Sequence, residues 1–192
     1  FEDMQQSILD LSNKTGINAN DVAENVYNAI SAGQNTKDAT AFVGEISKLS
    51  KAGFTESSSA LDIVTTIENA YKSTSDETSK INDILIQTQN KGKVTVDELS
   101  QSLGQVIPTA KSAGLNIENV ASAMILLTKN GIKASEATTY LNSLITELNK
   151  SDTTASNMLK QATGGLNFNT LIDQGKSLGD VLAILSDYAD EC

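Results

Sequence analysis

The chain has 192 residues, room for one medium domain or two small ones, with 39% hydrophobic residues, 4% aromatic residues, one proline and no tryptophan. Its 24 carboxylates against 14 cations give a formal charge of −10, and every cation is a lysine. Without arginine there is no planar fork for bidentate phosphate recognition, and without histidine the commonest acid–base group and metal ligand is missing, so nucleic-acid binding through phosphate neutralisation is not expected.

Taken in order, the apolar residues fall on helical faces. Residues 1–14 carry a weak pattern, and Val22, Val26, Ala29 and Ile30 form the first clear stripe. Ala39, Phe42, Val43, Ile46 and Leu49 follow, then Ala60, Val64, Ile67 and Tyr71, then Ile81, Ile84 and Leu85. The next stripe runs Val96, Leu99, Leu103, Val106, Ala110, and Pro108 inside it is expected to kink or break the helix near Ile107. Val120, Met124 and Leu127 come next, then Ala137, Tyr140, Leu141, Leu144 and Leu148, a weaker segment at 152–162, and finally Leu178, Val181, Leu182, Leu185 and Tyr188. Spacings of three and four place each set on one helix face, and no comparable stretch alternates with period two. The expected fold is all-α, a multi-helix bundle of about ten short helices joined by glycine-containing αα turns.

The start signals agree with the stripes. Thr95-Val96-Asp97-Glu98 reads as a capping box with Val94 and Leu99 set for a hydrophobic staple, and Ser177 to Asp180 repeats the spacing in weaker form. Carboxylates gather where helices begin (Asp21, Asp38, Glu56, Asp76, Glu77, Asp97, Glu98, Glu118, Glu136), which the helix dipole favours. Much of the acidity is thereby a solvated, helix-stabilising feature.

A recurring junction organises the chain. It reads Thr15-Gly16-Ile17-Asn18, Ala52-Gly53-Phe54-Thr55 and Ala113-Gly114-Leu115-Asn116, with a looser form at Asn130-Gly131-Ile132-Lys133 and one lacking the apolar residue at Ala32-Gly33-Gln34-Asn35. Glycine takes the left-handed position that ends a helix, the apolar residue packs back on the last turn, and Asn or Thr caps the next helix. Gly16, Gly33, Gly53, Gly114 and Gly131, with Pro108, are therefore the expected structural junctions. Gly92 and Gly164-Gly165 are the expected surface loops, and 164–175 the least regular stretch of the second half.

The junctions also repeat as a pair. Gly16 to Gly33 and Gly114 to Gly131 are both 17 residues apart, and an offset of 98 aligns Asn18 with Asn116, Val22-Ala23 with Val120-Ala121 and Ala39-Thr40 with Ala137-Thr138. Lys14–Phe42 against Ser112–Tyr140 shares seven identities in 29 positions, and the two blocks are expected to form similar αα-hairpins. The domain expectation is a single helical domain over 1–192 with sub-blocks 1–91 and 94–192. Beginning at Phe1 and ending at Cys192, the chain reads as a fragment of a larger protein.

Chemistry is scarce. Ser47-Lys48 and Ser79-Lys80 lie on ordinary amphipathic stripes, Asp97-Glu98 suits helix capping better than glycoside cleavage, and no phosphate loop or calcium loop is present. The single cysteine, Cys192, supports neither a disulfide framework nor a zinc cluster. The longest apolar run, Met124 to Leu127, is far short of the roughly 20 residues that span a bilayer. The chain is expected to be non-enzymatic, with no catalytic, cofactor or metal residues, no nucleic-acid binding and no membrane insertion.

From Val94 to Leu148 the order of elements resembles the core region of phage tail tape-measure proteins: Thr95–Leu99, Val106-Ile107-Pro108-Thr109-Ala110, Ala113–Asn116, Ala121–Leu127, Asn130–Ala137 and Leu141. Lys14-Thr15-Gly16, Ser31-Ala32-Gly33 and Ala60–Val64 fit the same family. Where the family often has a small-Gly-Thr then Leu-Arg run, this chain has Ala137-Thr138-Thr139 and Leu141-Asn142, so no role of that arginine carries over. The resemblance implies a virion component that sets tail length and is ejected during DNA delivery. It implies tail tube proteins, tail tip proteins and tail assembly chaperones as partners, self-association, and residence in the bacterial cytoplasm during assembly. The alternative reading is a non-catalytic helical interaction module of another large bacterial assembly or secreted protein. With a glycine stop about every 20 residues this region is expected to fold back on itself, with the ruler proper in more continuous helices elsewhere.

Overall fold

The computed structural model describes residues 2–74 and 77–191. Phe1, the expected helix-start carboxylate Asp76 and the terminal Cys192 lie outside the described residues. Twelve α-helices and no strand are found among the described residues: α1 Glu2–Thr15, α2 Ala19–Ser31, α3 Ala39–Gly53, α4 Ser57–Tyr71, α5 Thr78–Lys91, α6 Val96–Leu103, α7 Ile107–Ser112, α8 Ile117–Lys129, α9 Ala134–Asn149, α10 Thr154–Ala162, α11 Phe168–Asp173 and α12 Leu178–Glu191. The chain is all-α.

Twelve helices exceed the expected ten for two local reasons. The stripe from Val96 to Ala110 is cut after Leu103, and Pro108 sits in the first turn of α7 rather than in a helix interior. There its missing N–H is no loss, because first-turn donors have no intrahelical partner. The stretch 164–175 also holds a helix, α11, whose Asn167 side chain accepts from the Thr170 N–H at 2.9 Å. Without Asn167 at that cap, a six-residue helix has little local support.

The chain forms two compact units. The first comprises residues 1–90 with 94–101, and the second residues 91–93 with 102–192, so the boundary falls inside α6. In the first unit α3 packs on α1, α2 and α4. Its core is aliphatic around one aromatic: Phe42, Ile46, Leu49, Ile63, Ile67, Leu85 and Leu99 are each at most 1% exposed. Helix α1 contributes no buried residue, although it contacts α2 and α3. In the second unit α9 packs on α7, α8, α10 and α11, and α12 on α8 and α10. Phe168 is the aromatic there, in a core set that also holds Ile107, Leu115, Met124 and Leu141. One buried phenylalanine per unit is what a 4% aromatic content leaves room for, and the remaining packing rests on many small aliphatic contacts.

The helix starts follow the expected chemistry. Thr95 and Glu98 exchange bonds as a capping box, Thr95 N–H to Glu98 Oε2 at 2.8 Å and Glu98 N–H to Thr95 Oγ1 at 3.1 Å. Ser177 and Asp180 do the same, and the bonds from Ser177 hold the Asp180 carboxyl below its ordinary value. Among the described residues, no helix is long and apolar enough to cross a membrane.

Candidate functional site: the helix junctions

Four of the five junction glycines adopt the left-handed conformation: Gly16 at φ +72°, Gly33 at +107°, Gly114 at +78° and Gly131 at +91°. At Gly16 the closure is a single bond from its N–H to Ser12 O at 2.8 Å. At Gly33, Gly114 and Gly131 the chain makes the two-bond Schellman closure. Gly114 N–H donates to Lys111 O at 3.1 Å while Leu115 N–H reaches back to Ala110 O at 2.9 Å. Leu115 is buried, as an apolar residue packing back on the helix end should be, whereas Ile17 and Ile132 are only half-buried. Asn18 and Asn116 cap the following helices, accepting from Asn20 N–H at 2.8 Å and Asn119 N–H at 2.9 Å.

Gly53 departs from this scheme. It is the last residue of α3 rather than a left-handed stop, and Phe54 takes the left-handed conformation instead, at φ +51°. Phe54 does not pack back: it is 94% exposed. The reason for glycine at 53 is a close approach, since a Cβ there would stand 2.8 Å from Val96 Cγ2. Thr55 does not cap α4 either. That position belongs to Glu56, which makes no side-chain cap bond.

The junctions are tied to neighbouring helices within each unit. In the first, Lys51 Nζ donates to Thr15 O beside Gly16, and Asn69 Nδ2 donates to Ala32 O beside Gly33 at 3.1 Å. Gln34, next after Gly33, donates through Nε2 to the Glu68 carboxylate, which also accepts from Thr78 Oγ1 at 2.6 Å. Glu68 is 3% exposed, so one buried carboxylate joins the α2–α3 turn, the end of α4 and the start of α5. Its pKa is raised: burial disfavours the charge and Glu77 adds repulsion, while the bonds from Thr78 and Gln34 oppose both. In the second unit the N–H of Leu178 donates to Asn119 Oδ1 at 3.0 Å, tying the start of α12 to the first turn of α8. A Cβ on Gly114 would meet Ile172 Cγ2 at 3.4 Å, and Gly131 faces open space.

Several residues at these junctions carry no glycine signal: Phe54, Lys72 at φ +56° and Asp152 at φ +65° are left-handed without being glycine. Glu68 did leave a trace. It stands four residues after Val64 and directly beside Ile67, on the apolar face of α4, where a carboxylate is out of place unless it is partnered.

Candidate reactive pairs are engaged locally. Ser47 Oγ donates to Val43 O at 2.8 Å, and Lys48 is paired with Glu45. Asp97 accepts from Ser59 Oγ at 2.9 Å and from Gln101 Nε2 at 2.8 Å. Among the described residues, no group of three His, Cys, Asp or Glu side chains is placed to hold a metal ion. The arrangement sets the direction of the chain.

Left-handed glycines should resist alanine. Gly131→Ala, with open space for its Cβ, is expected to cost about 1 kcal/mol from backbone strain alone, and Gly114→Ala the same or slightly more. Gly104 also faces open space but is not left-handed, so Gly104→Ala should leave the urea midpoint unchanged or raise it. Equal midpoints for all three variants would remove the strain argument.

A family model described as phage-related minor tail protein matches residues 5–190. Over 197 aligned positions the chain is 39% identical to a protein named "Probable tape measure protein" from Clostridium phage phiCD119 (strain Clostridium difficile/United States/Govind/2006). That match takes in 98% of this chain and 21% of the relative, so the chain spans about a fifth of the relative's length. No solved structure matches it.

Proposed function

Because this chain belongs to the phage-related minor tail protein family, we propose that it is a folded stretch of a tape-measure protein, a structural component of the virion tail whose full length sets tail length and which leaves the tail when DNA is delivered. The observation that carries the reading is the 39% identity to the clostridial phage protein, sustained across 98% of the chain rather than confined to one helix. The helical architecture supports it, since a helix rises by a fixed amount of about 1.5 Å per residue and so converts chain length into physical length.

On this reading the stretch works without catalysis. Its junctions make it fold back on itself before assembly, and each left-handed residue is a point at which two helices could join into one. Fully straightened, 192 residues of α-helix would extend about 290 Å at 1.5 Å per residue. The proposed partners are the tail assembly chaperones in the bacterial cytoplasm and the tube and tip proteins in the particle, with self-association among copies.

The test is genetic and structural together. Mass spectrometry of purified particles should find peptides of this stretch in the virion. In-frame insertion of helical sequence elsewhere in the full-length protein should lengthen tails by about 1.5 Å per added residue, read by electron microscopy. Tails of unchanged length on particles that contain the longer protein would overturn the ruler reading.

A further inference from the structure

We infer that the chain is a tandem duplication: one helical module present twice, 98 residues apart, with the same backbone course over residues 16–49 and 114–147. Two left-handed glycines carry this. Gly16 and Gly33 (φ +72° and +107°) are matched at that offset by Gly114 and Gly131 (φ +78° and +91°). The interval between them is 17 residues in both copies. Helices α2 and α8 have the same 13-residue length and the same bounds once shifted, Ala19–Ser31 against Ile117–Lys129.

The bonds match as well. Gly33 N–H to Ile30 O and Gly131 N–H to Thr128 O are both 3.0 Å, and Gln34 N–H to Ala29 O corresponds to Ile132 N–H to Leu127 O. Asn18 and Asn116 are both side-chain caps. Val22 with Val120, Val26 with Met124, Ala39 with Ala137 and Val43 with Leu141 are buried pair by pair, none above 2% exposed.

Independent origin of two αα-hairpins explains less. Helix physics makes glycine stops and Asn caps recur, but it does not set the number of residues between stops, because a helix can gain or lose a turn and still pack. The match stops at the next helix end: Phe54 is the left-handed cap of α3, whereas Asp152 is left-handed two residues after the extended Lys150 that caps α9. The copies part afterwards. The first continues as the single helix α4 and the second as α10 and α11 across Gly164-Gly165. Surfaces have diverged too: Asn28 corresponds to Leu126, which is 60% exposed, and the buried Phe42 to Tyr140, which is 56% exposed.

Excision in register tests the duplication. Removing residues 34–131 joins Gly33 to Ile132, which are equivalent junction positions, and leaves one hybrid module. It is expected to keep a strongly helical circular-dichroism spectrum and a cooperative thermal transition. Removing 34–124 joins non-equivalent positions and is expected to abolish the transition. If the two deletions behave alike, an experimental structure of the intact chain decides. Residues 16–49 laid on 114–147 with both left-handed glycine pairs coinciding uphold the duplication, and any other result overturns it.

Discussion

Gly53→Ala is expected to lower the unfolding free energy by about 1–3 kcal/mol, the usual cost of forcing a methyl group into a packed site. The added Cβ would lie 2.8 Å from Val96 Cγ2, 3.2 Å from Val96 Cβ and 3.6 Å from Ile86 Cδ1. Val96 cannot easily give way, because it is fully buried and its N–H donates to Gln89 Oε1 at 2.8 Å. The sign is not trivial. Gly53 is helical, so alanine should gain about 1 kcal/mol from reduced backbone entropy and helix preference. The contact must exceed that gain for the variant to be destabilised. Val96→Ala in the same background separates the two effects. It removes the obstructing methyl groups, so the double variant should lose less than the sum of the singles in a urea-denaturation cycle. Additive losses would show that the close approach is not what keeps glycine at 53.

That position also marks how far the sequence could be read. Stripes with spacings of three and four are set by helix geometry alone, so the helices containing Phe42, Met124 and Leu141 were legible, as were the caps at Asn18, Asn116 and Thr95. Left-handed glycines with no crowded neighbour, such as Gly16 and Gly131, were legible for the same reason: the local backbone decides them. Gly53 was not, because its glycine answers to Val96, 43 residues later, and a contact of that range leaves no local pattern. The left-handed state then moved one residue on to Phe54. The break between α6 and α7 was visible through Pro108, read as a kink or break near Ile107: α6 ends at Leu103 and α7 starts at Ile107, with the proline in its first turn. Helix α11 was missed because its six residues carry too few apolar positions for a stripe, and Asn167 was the one cue to it.

The buried carboxylate leads to the second large effect, and it runs against the intuition that a bonded buried residue stabilises. Glu68 has a raised pKa, chiefly from burial, so its proton is held more tightly in the folded chain than in the unfolded one. The sign follows from linkage. Below the ordinary value of 4.5 both states hold the proton and Glu68 contributes its full stability. As pH rises from there through the raised folded value, the unfolded chain releases its proton first and the folded chain loses stability relative to it. Glu68→Gln keeps an acceptor for Thr78 Oγ1 and carries no charge to desolvate. The variant should therefore nearly match the wild type near pH 4 and exceed it at pH 7.5, the gap opening across that window. Thr78→Val should do the reverse. It strips the carboxylate of its 2.6 Å donor, and because bonds to charged groups are worth about 1.5–3 kcal/mol, stability should fall by that order at pH 7.5 and by less near pH 4. Urea denaturation of the three proteins at the two pH values reads both effects. A Glu68→Gln variant weaker than wild type at pH 7.5 would mean that the bonds from Gln34 and Thr78 outweigh the cost of burying the charge, and that Glu68 secures the α2–α3 turn as an anion.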